Sequence, residues 1–287
     1  MPGGARRRRR PMHRRRAHGS EPMIVVDEPD GSLLLVRQPH HAAMSAQIAA
    51  AWRRPAALSP GVWQRLLEAV RVHDDGWGPF EDRPELDPHG RPVDFKSIPT
   101  PRHVVVWDRS IERAASADRY VALLVALHAR WLYTHVGQDG IEDQACAQEF
   151  VRKLNERIDM MIEALGRGTD EQRDAATPTA LALARRLVSF FDAVSLCLIG
   201  TIDWIDRSEA LGFEGRETVL RLERPHKSAD VAITPWPFAP DRLTTRVRAV
   251  RLPRQRFADP SALAAAMSRA DPIDLEWTLG PEASPQP

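Results

Sequence analysis

Two short apolar runs open the patterned part of the chain, and a group of turn-forming residues separates them. Residues 23–27 read Met-Ile-Val-Val-Asp, residues 32–37 read Ser-Leu-Leu-Leu-Val-Arg, and Glu-Pro-Asp-Gly lies between them. Apolar runs joined by a Pro-Asp-Gly turn are typical of a β-hairpin. The pattern therefore predicts an N-terminal hairpin.

Apolar residues then recur every three or four positions, which is typical of helices that bury one face. The predicted helices cover residues 39–52, 59–74, 118–134, 141–165 and 177–200. Ser59-Pro60 and Thr177-Pro178 open two of them, because Ser or Thr caps a helix and Pro fits its first turn. Gly76 to Pro101 is rich in Pro, Gly and Asp and predicts a long loop.

After Gly215 the pattern favours strands. Strands are predicted at 218–223, 231–233, 243–252 and 275–279, with a short helix at 261–269. The predicted fold class is mainly α, with a helical core and a small antiparallel sheet built from the hairpin and the late strands (α+β). We expect a single domain over 23–280, its helical core at about 38–210 and its sheet from 23–37 and 216–280.

Four of the predicted helices carry ionisable residues on an otherwise apolar face. These residues are His41, His73 with Asp74, His128 and Asp192. A buried carboxylate or imidazole is costly without a partner, so it pairs, changes its protonation or binds a metal. One divalent cation shared by His41, His73, Asp74 and Asp192 would satisfy all four.

Each residue also has a simpler interpretation. A lone His on an apolar face is commonly a hydrogen-bonded core histidine, Asp74 could end its helix, and Asp192 could pair with an Arg. The joint pattern favours the metal, and mixed imidazole and carboxylate ligands suit Zn, Mn, Fe, Ni or Co.

Charge is unevenly distributed along the 287 residues. Residues 1–22 hold eight Arg and one acid, so 32 basic and 38 acidic residues remain in the body of the chain. The basic tail is expected to be a disordered extension or a start placed too early, with Met23 as the true start. An Arg run can also bind nucleic acid or an anionic membrane; elsewhere neither partner is expected.

The remaining composition bounds the function further. No apolar run is long enough for a transmembrane helix, and Cys146 and Cys197 form no CxxC pair, so we expect a reducing cytoplasm. Residues 281–287 are expected to fray. No GxxxxGK[ST], GxGxxG or GxSxG occurs, so a P-loop kinase, a dinucleotide-binding dehydrogenase and a serine α/β-hydrolase are unsupported.

The doublet His73-Asp74, preceded by His41 and followed by Asp192, resembles the HD metallophosphohydrolase superfamily. The separations are 32 and 118 residues, and the second is long. The chain more closely resembles the bacterial family called domain of unknown function 3891, over about Met23 to Leu279. The matching stretches include residues 38–49, 72–77, 90–95, 122–128 and 192–198.

The superfamily resemblance implies an HD-like core in which His41, His73, Asp74 and Asp192 hold one or two metal ions. It implies that His128 binds a second ion or acts as general acid, and that Asp74 also accepts a proton from water. Trp77 stands where the signalling branch has a lysine, which argues against cyclic-dinucleotide activity.

The expected activity is hydrolysis of a small-molecule phosphoester or nucleotide. Trp77 and Phe80 are candidate pocket walls, or alternatively core residues. Lys96, Arg102 and Arg130 are candidate phosphate contacts because they lie near the motifs in sequence. Two alternatives stay open: an HD-fold di-iron oxygenase, and a non-catalytic binding or regulatory module stabilised by its metal.

Overall fold

The computed structural model describes residues 23–78, 84–135, 143–205, 207–213, 216–224 and 229–281. Within them the helices are α1 (Gln38–Ala51), α2 (Pro60–Val72), α3 (Thr100–Ala117), α4 (Arg119–His135), α5 (Gln144–Gly166), α6 (Asp170–Ala175), α7 (Pro178–Ile199) and α8 (Pro260–Arg269). The strands are β1 (Ile24–Asp27), β2 (Leu33–Val36), β3 (Arg207–Phe213), β4 (Arg216–Glu223), β5 (Asp230–Thr234), β6 (Leu243–Leu252) and β7 (Pro272–Gly280). The predictions for residues 1–22 and 282–287 lie outside the described residues. The fold is α+β and mainly helical, as predicted.

The seven strands form one sheet in the order β1-β2-β6-β7-β5-β4-β3. Ile24 pairs with Val36 across the β1–β2 turn, which confirms the predicted hairpin. The sheet is not wholly antiparallel as predicted, because β5 runs parallel to β7. Parallel neighbours need a long connection, and here β6 and α8 lie between the two strands in the chain.

Strand β6 joins the sheet to the helical layer. Thr245, Val247 and Ala249 are buried and alternate with exposed residues such as Arg246, so one face of the strand points inward. Gln47 of α1 accepts a hydrogen bond from the backbone N–H of Arg246 at 3.0 Å and donates one to its carbonyl at 3.1 Å. This double contact fixes α1 against the sheet.

The capping residues start α2 and α7 where the sequence predicts. The Ser59 hydroxyl accepts from the N–H of Val62 at 3.2 Å, and the Thr177 hydroxyl accepts from the N–H of Ala180 at 3.4 Å. Gly200 ends α7 with a φ of 90°, a conformation that glycine adopts without strain. The caps therefore fix where α2 and α7 begin, and Gly200 fixes where α7 ends.

Helix α3 was not predicted. It starts at Thr100, inside the predicted loop, and runs through residues for which we predicted no element. Residues 104–106 are three consecutive valines, whose branching at Cβ lowers helix propensity, and Pro101 reads as a continuation of the loop. In the structure Pro101 lies in the first turn, where proline is tolerated. Helix α6 and strand β3 were also missed, so the C-terminal part of the sheet begins at residue 207 rather than 216.

Apolar side chains of the helices and the sheet meet in one buried cluster. Leu124 of α4, Phe191 of α7, Val36 of β2 and Val247 of β6 belong to it. Among the described residues, none of the helices combines the length and apolar character needed to cross a membrane.

Candidate metal centre

Five ionisable residues from four helical segments meet inside the protein. His41 lies on α1, His73 and Asp74 directly follow α2, His128 lies on α4 and Asp192 on α7. Their exposed fractions range from 0% for His128 to 8% for Asp192. The structure thus brings together every residue that the sequence predicted as a metal ligand.

The helices are buried on several sides around these residues. Helix α4 is buried without interruption from Tyr120 to Ala129, so His128 has protein on every side. On α7, Asp192 lies between buried Val188 and Ser195. The surrounding helices therefore leave these groups little contact with bulk water, so the polar groups must largely satisfy one another or bind an ion.

Asp192 lies at the centre of the cluster. Its Oδ1 is 2.9 Å from Nε2 of His41 and 3.5 Å from Nε2 of His73. Its other oxygen, Oδ2, is 3.2 Å from Nε2 of His128. One carboxylate thus faces three imidazoles, with two on one oxygen and one on the other.

Asp74 completes the group around His41 and His73. Its Oδ2 is 3.4 Å from Nε2 of His73 and 3.7 Å from Nε2 of His41. His41, His73 and Asp192 each offer one ligand atom, and these three atoms lie within 4.8 Å of one another. Ligand atoms on one ion with bonds of about 2.0–2.2 Å are separated by about 3–3.5 Å. The distances of 2.9 and 3.5 Å from Oδ1 of Asp192 to Nε2 of His41 and His73 are close to this range.

The outer contact of His73 fixes which of its nitrogens can bind metal. Its Nδ1 is 2.7 Å from the carbonyl oxygen of Val70. A carbonyl only accepts, so Nδ1 carries a proton, and a neutral ring leaves its lone pair on Nε2. Nε2 of His73 is buried and lies 3.4–3.5 Å from carboxylate oxygens of Asp74 and Asp192, without the geometry of a hydrogen bond. This arrangement is typical of a metal-binding histidine, whose second nitrogen donates to a protein oxygen.

His41 is anchored in the same way through Ser195. The Ser195 hydroxyl donates to the carbonyl of Asp192 at 2.8 Å, which uses its one proton. It therefore accepts the Nδ1–H of His41, at 2.7 Å. Nε2 of His41 is then directed at Asp192, and either a proton or a metal ion must lie between the two.

His128 is held in the same way and faces Oδ2, the other oxygen of Asp192. Its Nδ1 is 3.0 Å from the hydroxyl of Ser189. Its Nε2 is buried and faces Oδ2 of Asp192 at 3.2 Å. All three imidazoles are thus held at Nδ1 and directed with Nε2 at Asp192.

The electrostatics keep the carboxylate ionised. Burial raises the pKa of Asp192, but His128, His41 and His73 outweigh burial and hold that pKa well below its ordinary value. Burial lowers the pKa of His73, whereas the carboxylates of Asp74 and Asp192 raise it to about 9. A cation placed among these residues would replace the His73 proton and pair with the same carboxylates.

The donor set therefore fits a divalent transition metal. Imidazole nitrogens and carboxylate oxygens are ligands of Zn, Mn, Fe, Ni and Co. The Nε2 atoms of His73 and His128 face carboxylate oxygens of Asp192, and both are nitrogens that such an ion could bind. The cluster can hold such an ion.

A cavity of about 550 Å³ lies over the cluster, and all five residues line it. Trp77, predicted as a wall residue, lines it and is buried. Lys96 lines it as well, and its Nζ donates to the carbonyl of Thr201 at 2.6 Å. Phe80, the other predicted wall residue, lies outside the described residues.

The other two predicted phosphate contacts do not line the cavity. Arg102 pairs with Glu85 at 2.8 Å, and Arg130 donates to Asn155 at 3.2 Å. Closeness to a motif along the chain was the reason for choosing them, and the helices direct both side chains elsewhere.

The sequence analysis missed several cavity residues. His103 and Trp107 line the cavity from α3, the helix that was not predicted. Ser189 and Ser195 were missed as anchors, although they lie three residues before and after Asp192 on α7. Spacing of three on a helix containing a buried Asp is the signal that could have identified them.

Fold and site together define a mainly helical α+β protein with a buried histidine–carboxylate cluster able to hold a divalent cation. A family model described as protein of unknown function (DUF3891) matches residues 23–254, so the chain belongs to that family. The matched range contains the five cluster residues and the cavity wall. Searches of curated proteins and of solved structures each returned no match.

Proposed function

We propose that the protein is a metal-dependent phosphohydrolase of the HD type, which cleaves a phosphoester with a metal-activated water. The observation that carries the proposal is the convergence of His41, His73, Asp74 and Asp192 on one point. Nε2 of His73 is directed at this point, 3.4 Å from Oδ2 of Asp74 and 3.5 Å from Oδ1 of Asp192. The order of these four residues along the chain is also that of the HD superfamily.

The residues around the cluster suit distinct roles. A bound divalent cation would supply a Lewis acid and lower the pKa of a coordinated water toward neutrality. Asp74 contacts His41 and His73 with one oxygen, Oδ2, and lines the cavity, so it can accept a proton from water. His128 also lines the cavity and can hold a proton for the leaving oxygen.

Turnover measurements with matched variants test the proposal. Phosphomonoesters and phosphodiesters are offered to the wild type with Mn²⁺, Ni²⁺ or Fe²⁺ added separately. Asp74→Asn is expected to lower kcat by at least about a hundredfold, since a proton acceptor contributes on that order. His89→Ala, an exposed histidine outside the cluster, is the control and should match the wild type. No turnover above metal alone, with any ester and any of these ions, would overturn the proposal.

One observation favours a second candidate, a di-iron oxygenase. Asp192 directs Oδ1 at His41 and His73 and Oδ2 at His128, so its two oxygens could serve two ions. Two irons per chain, a visible absorption band that depends on iron, and oxygen uptake without phosphate release would favour this candidate. One ion per chain together with phosphate release would exclude it.

A further inference from the structure

The wall of the cavity is made mainly of aromatic and aliphatic side chains. Among its residues are Trp77, Phe95, Ile98, Trp107, Trp131 and Tyr133. Such a wall stabilises a ligand by removing carbon surface from water, and aromatic rings add stacking or edge contacts. The cavity volume, about 550 Å³, is in the range of sites that enclose a small organic molecule.

Positive charge is scarce on this wall. Lys96 is the one Lys or Arg among the described residues that line the cavity, and its Nζ already donates to the carbonyl of Thr201. The guanidinium carbon of Arg185 lies 5.2 Å from the ring centroid of Trp131, but Arg185 does not line the cavity. A polyphosphate brings several negative charges into a site, and each needs a cation or a donor there.

His103 does not supply another cation. The indole N–H of Trp107 donates to its Nε2 at 3.2 Å, and an indole nitrogen cannot accept. His103 is therefore neutral, with its proton on Nδ1, 3.0 Å from the hydroxyl of Tyr133. Burial lowers the pKa of His103 to about 4, in agreement with a neutral ring. The wall is thus uncharged on this side as well.

We infer that the substrate carries a single phosphoryl group on an aromatic or bulky apolar group, and that nucleoside polyphosphates and small sugar phosphates are poor ligands. The phosphoryl group would lie at the metal cluster near Lys96, and the apolar body against Trp131 and the neighbouring rings. The phosphoryl part of this inference rests on the proposed function, whereas the apolar part rests on the wall alone.

Equilibrium binding tests the inference without turnover. Isothermal titration compares four probes on the manganese-loaded protein: 1-naphthylmethylphosphonate, methylphosphonate, 1-naphthol and a nucleoside triphosphate as its magnesium complex. We expect the naphthyl phosphonate to bind at least about tenfold more tightly than methylphosphonate or the triphosphate, because only it uses both the cluster and the wall. Equal or tighter binding of either of those two would overturn the inference.

Variants assign the binding to the wall. Trp131→Ala should weaken both naphthyl probes at least about fivefold, and Trp131→Phe should restore most of the affinity because it keeps a ring. Trp236→Ala, outside the cavity, should change nothing. Unchanged binding in Trp131→Ala contradicts the assignment.

A last measurement distinguishes failure of the proposed hydrolase function from failure of the inferred apolar substrate. Binding of 1-naphthol should persist when a chelator removes the metal, because the apolar wall is then unchanged. If 1-naphthol binds but no phosphonate does, the phosphoryl part and the proposed hydrolase both fail while the apolar part stands. If phosphonates bind without regard to their apolar group, the inference fails and the hydrolase proposal stands.

Discussion

Two groups of charged residues in this protein have similar distances and opposite surroundings. On the exposed face of α5, Arg152 lies 2.8 Å from Glu149 and 2.5 Å from Glu156, and more than half of the Arg152 side chain is exposed. Around Asp192 the distances are 2.9–3.5 Å, and the imidazoles are almost fully buried. Distance alone would rank the α5 group as the stronger one.

Burial makes the cluster around Asp192, rather than the α5 group, the one on which stability depends more strongly. Water solvates exposed pairs whether or not they touch, so they contribute little to stability and vary with salt. A buried charge has lost its water, and removing one member of its group leaves the others uncompensated. The cluster is therefore the region where substitutions, metal and pH are expected to act.

The largest expected effect comes from removing the central carboxylate. Asp192→Ala should lower the free energy of unfolding of the metal-loaded protein by about 3–5 kcal/mol, as is usual when a buried charged group loses a partner. Urea denaturation in excess Mn²⁺ measures it. Glu149→Ala on α5 is the matched control and should leave the midpoint unchanged; equal effects of the two substitutions would remove the distinction between the regions.

Chelation should have the next largest effect. An ion present at a thousand times its Kd stabilises the folded state by about 4 kcal/mol. For a domain of this size, that corresponds to a fall in Tm of about 8–16 °C when the ion is removed. Thermal unfolding with and without a chelator measures the shift. In His73→Ala the chelator should cause a smaller shift; a shift as large as in the wild type would mean that the metal binds elsewhere.

The stability of the metal-free protein and the affinity of the protein for metal should change with pH in opposite directions. In the metal-free protein the pKa of His73 is about 9, above its ordinary value of 6.5. The stability from protonated His73 is therefore fully present below pH 6.5 and is lost as the pH rises through 9. Urea denaturation of the metal-free protein at intervals from pH 6 to 10 should show this decline.

Metal binding to His73 must displace the proton that makes this imidazole cationic. Its affinity should therefore rise with pH, about tenfold per unit between pH 7 and 9 if one proton is released. Competition titration with a metal indicator measures the affinity. An affinity independent of pH in this range would show that His73 is not a ligand.

The smallest expected effect comes from the serine anchors. Ser195→Ala removes the acceptor of the His41 Nδ1–H and should weaken metal binding by about 10–100-fold. Ser189→Ala removes the contact of His128, which faces the other oxygen of Asp192. If His128 serves a second ion, Ser189→Ala should change only the weaker binding step. An effect of both variants on the tighter step would indicate one shared ion.

The residues of the buried cluster could be predicted because polar residues stand out within an apolar pattern. Asp192 interrupts the run from Phe190 to Leu198, and His41 shares a helical face with Ile48. Burying such residues is costly, so their presence on apolar faces points to a shared partner. The apolar pattern itself, together with turn and capping residues, predicted the hairpin and most of the helices.

Other features depend on contacts that periodicity does not encode. The parallel pairing of β5 with β7 follows from the order of strands in space. Pro101 and the valines at 104–106 argued against a helix in the sequence, so helix α3 was not predicted. His103 and Trp107, which it carries, were therefore not predicted as wall residues. Arg102 and Arg130 were chosen by position in the chain, but the direction of a side chain depends on the helix that carries it.

Metal analysis of the purified protein tests the central claim most directly. Wild type, His73→Ala, Asp192→Ala and the exposed-histidine variant His89→Ala are loaded with Mn²⁺ or Zn²⁺, desalted and measured by elemental analysis. We predict one or two ions per chain in the wild type and in His89→Ala, and a loss of at least one ion in each cluster variant. Equal metal in all four proteins would contradict the account.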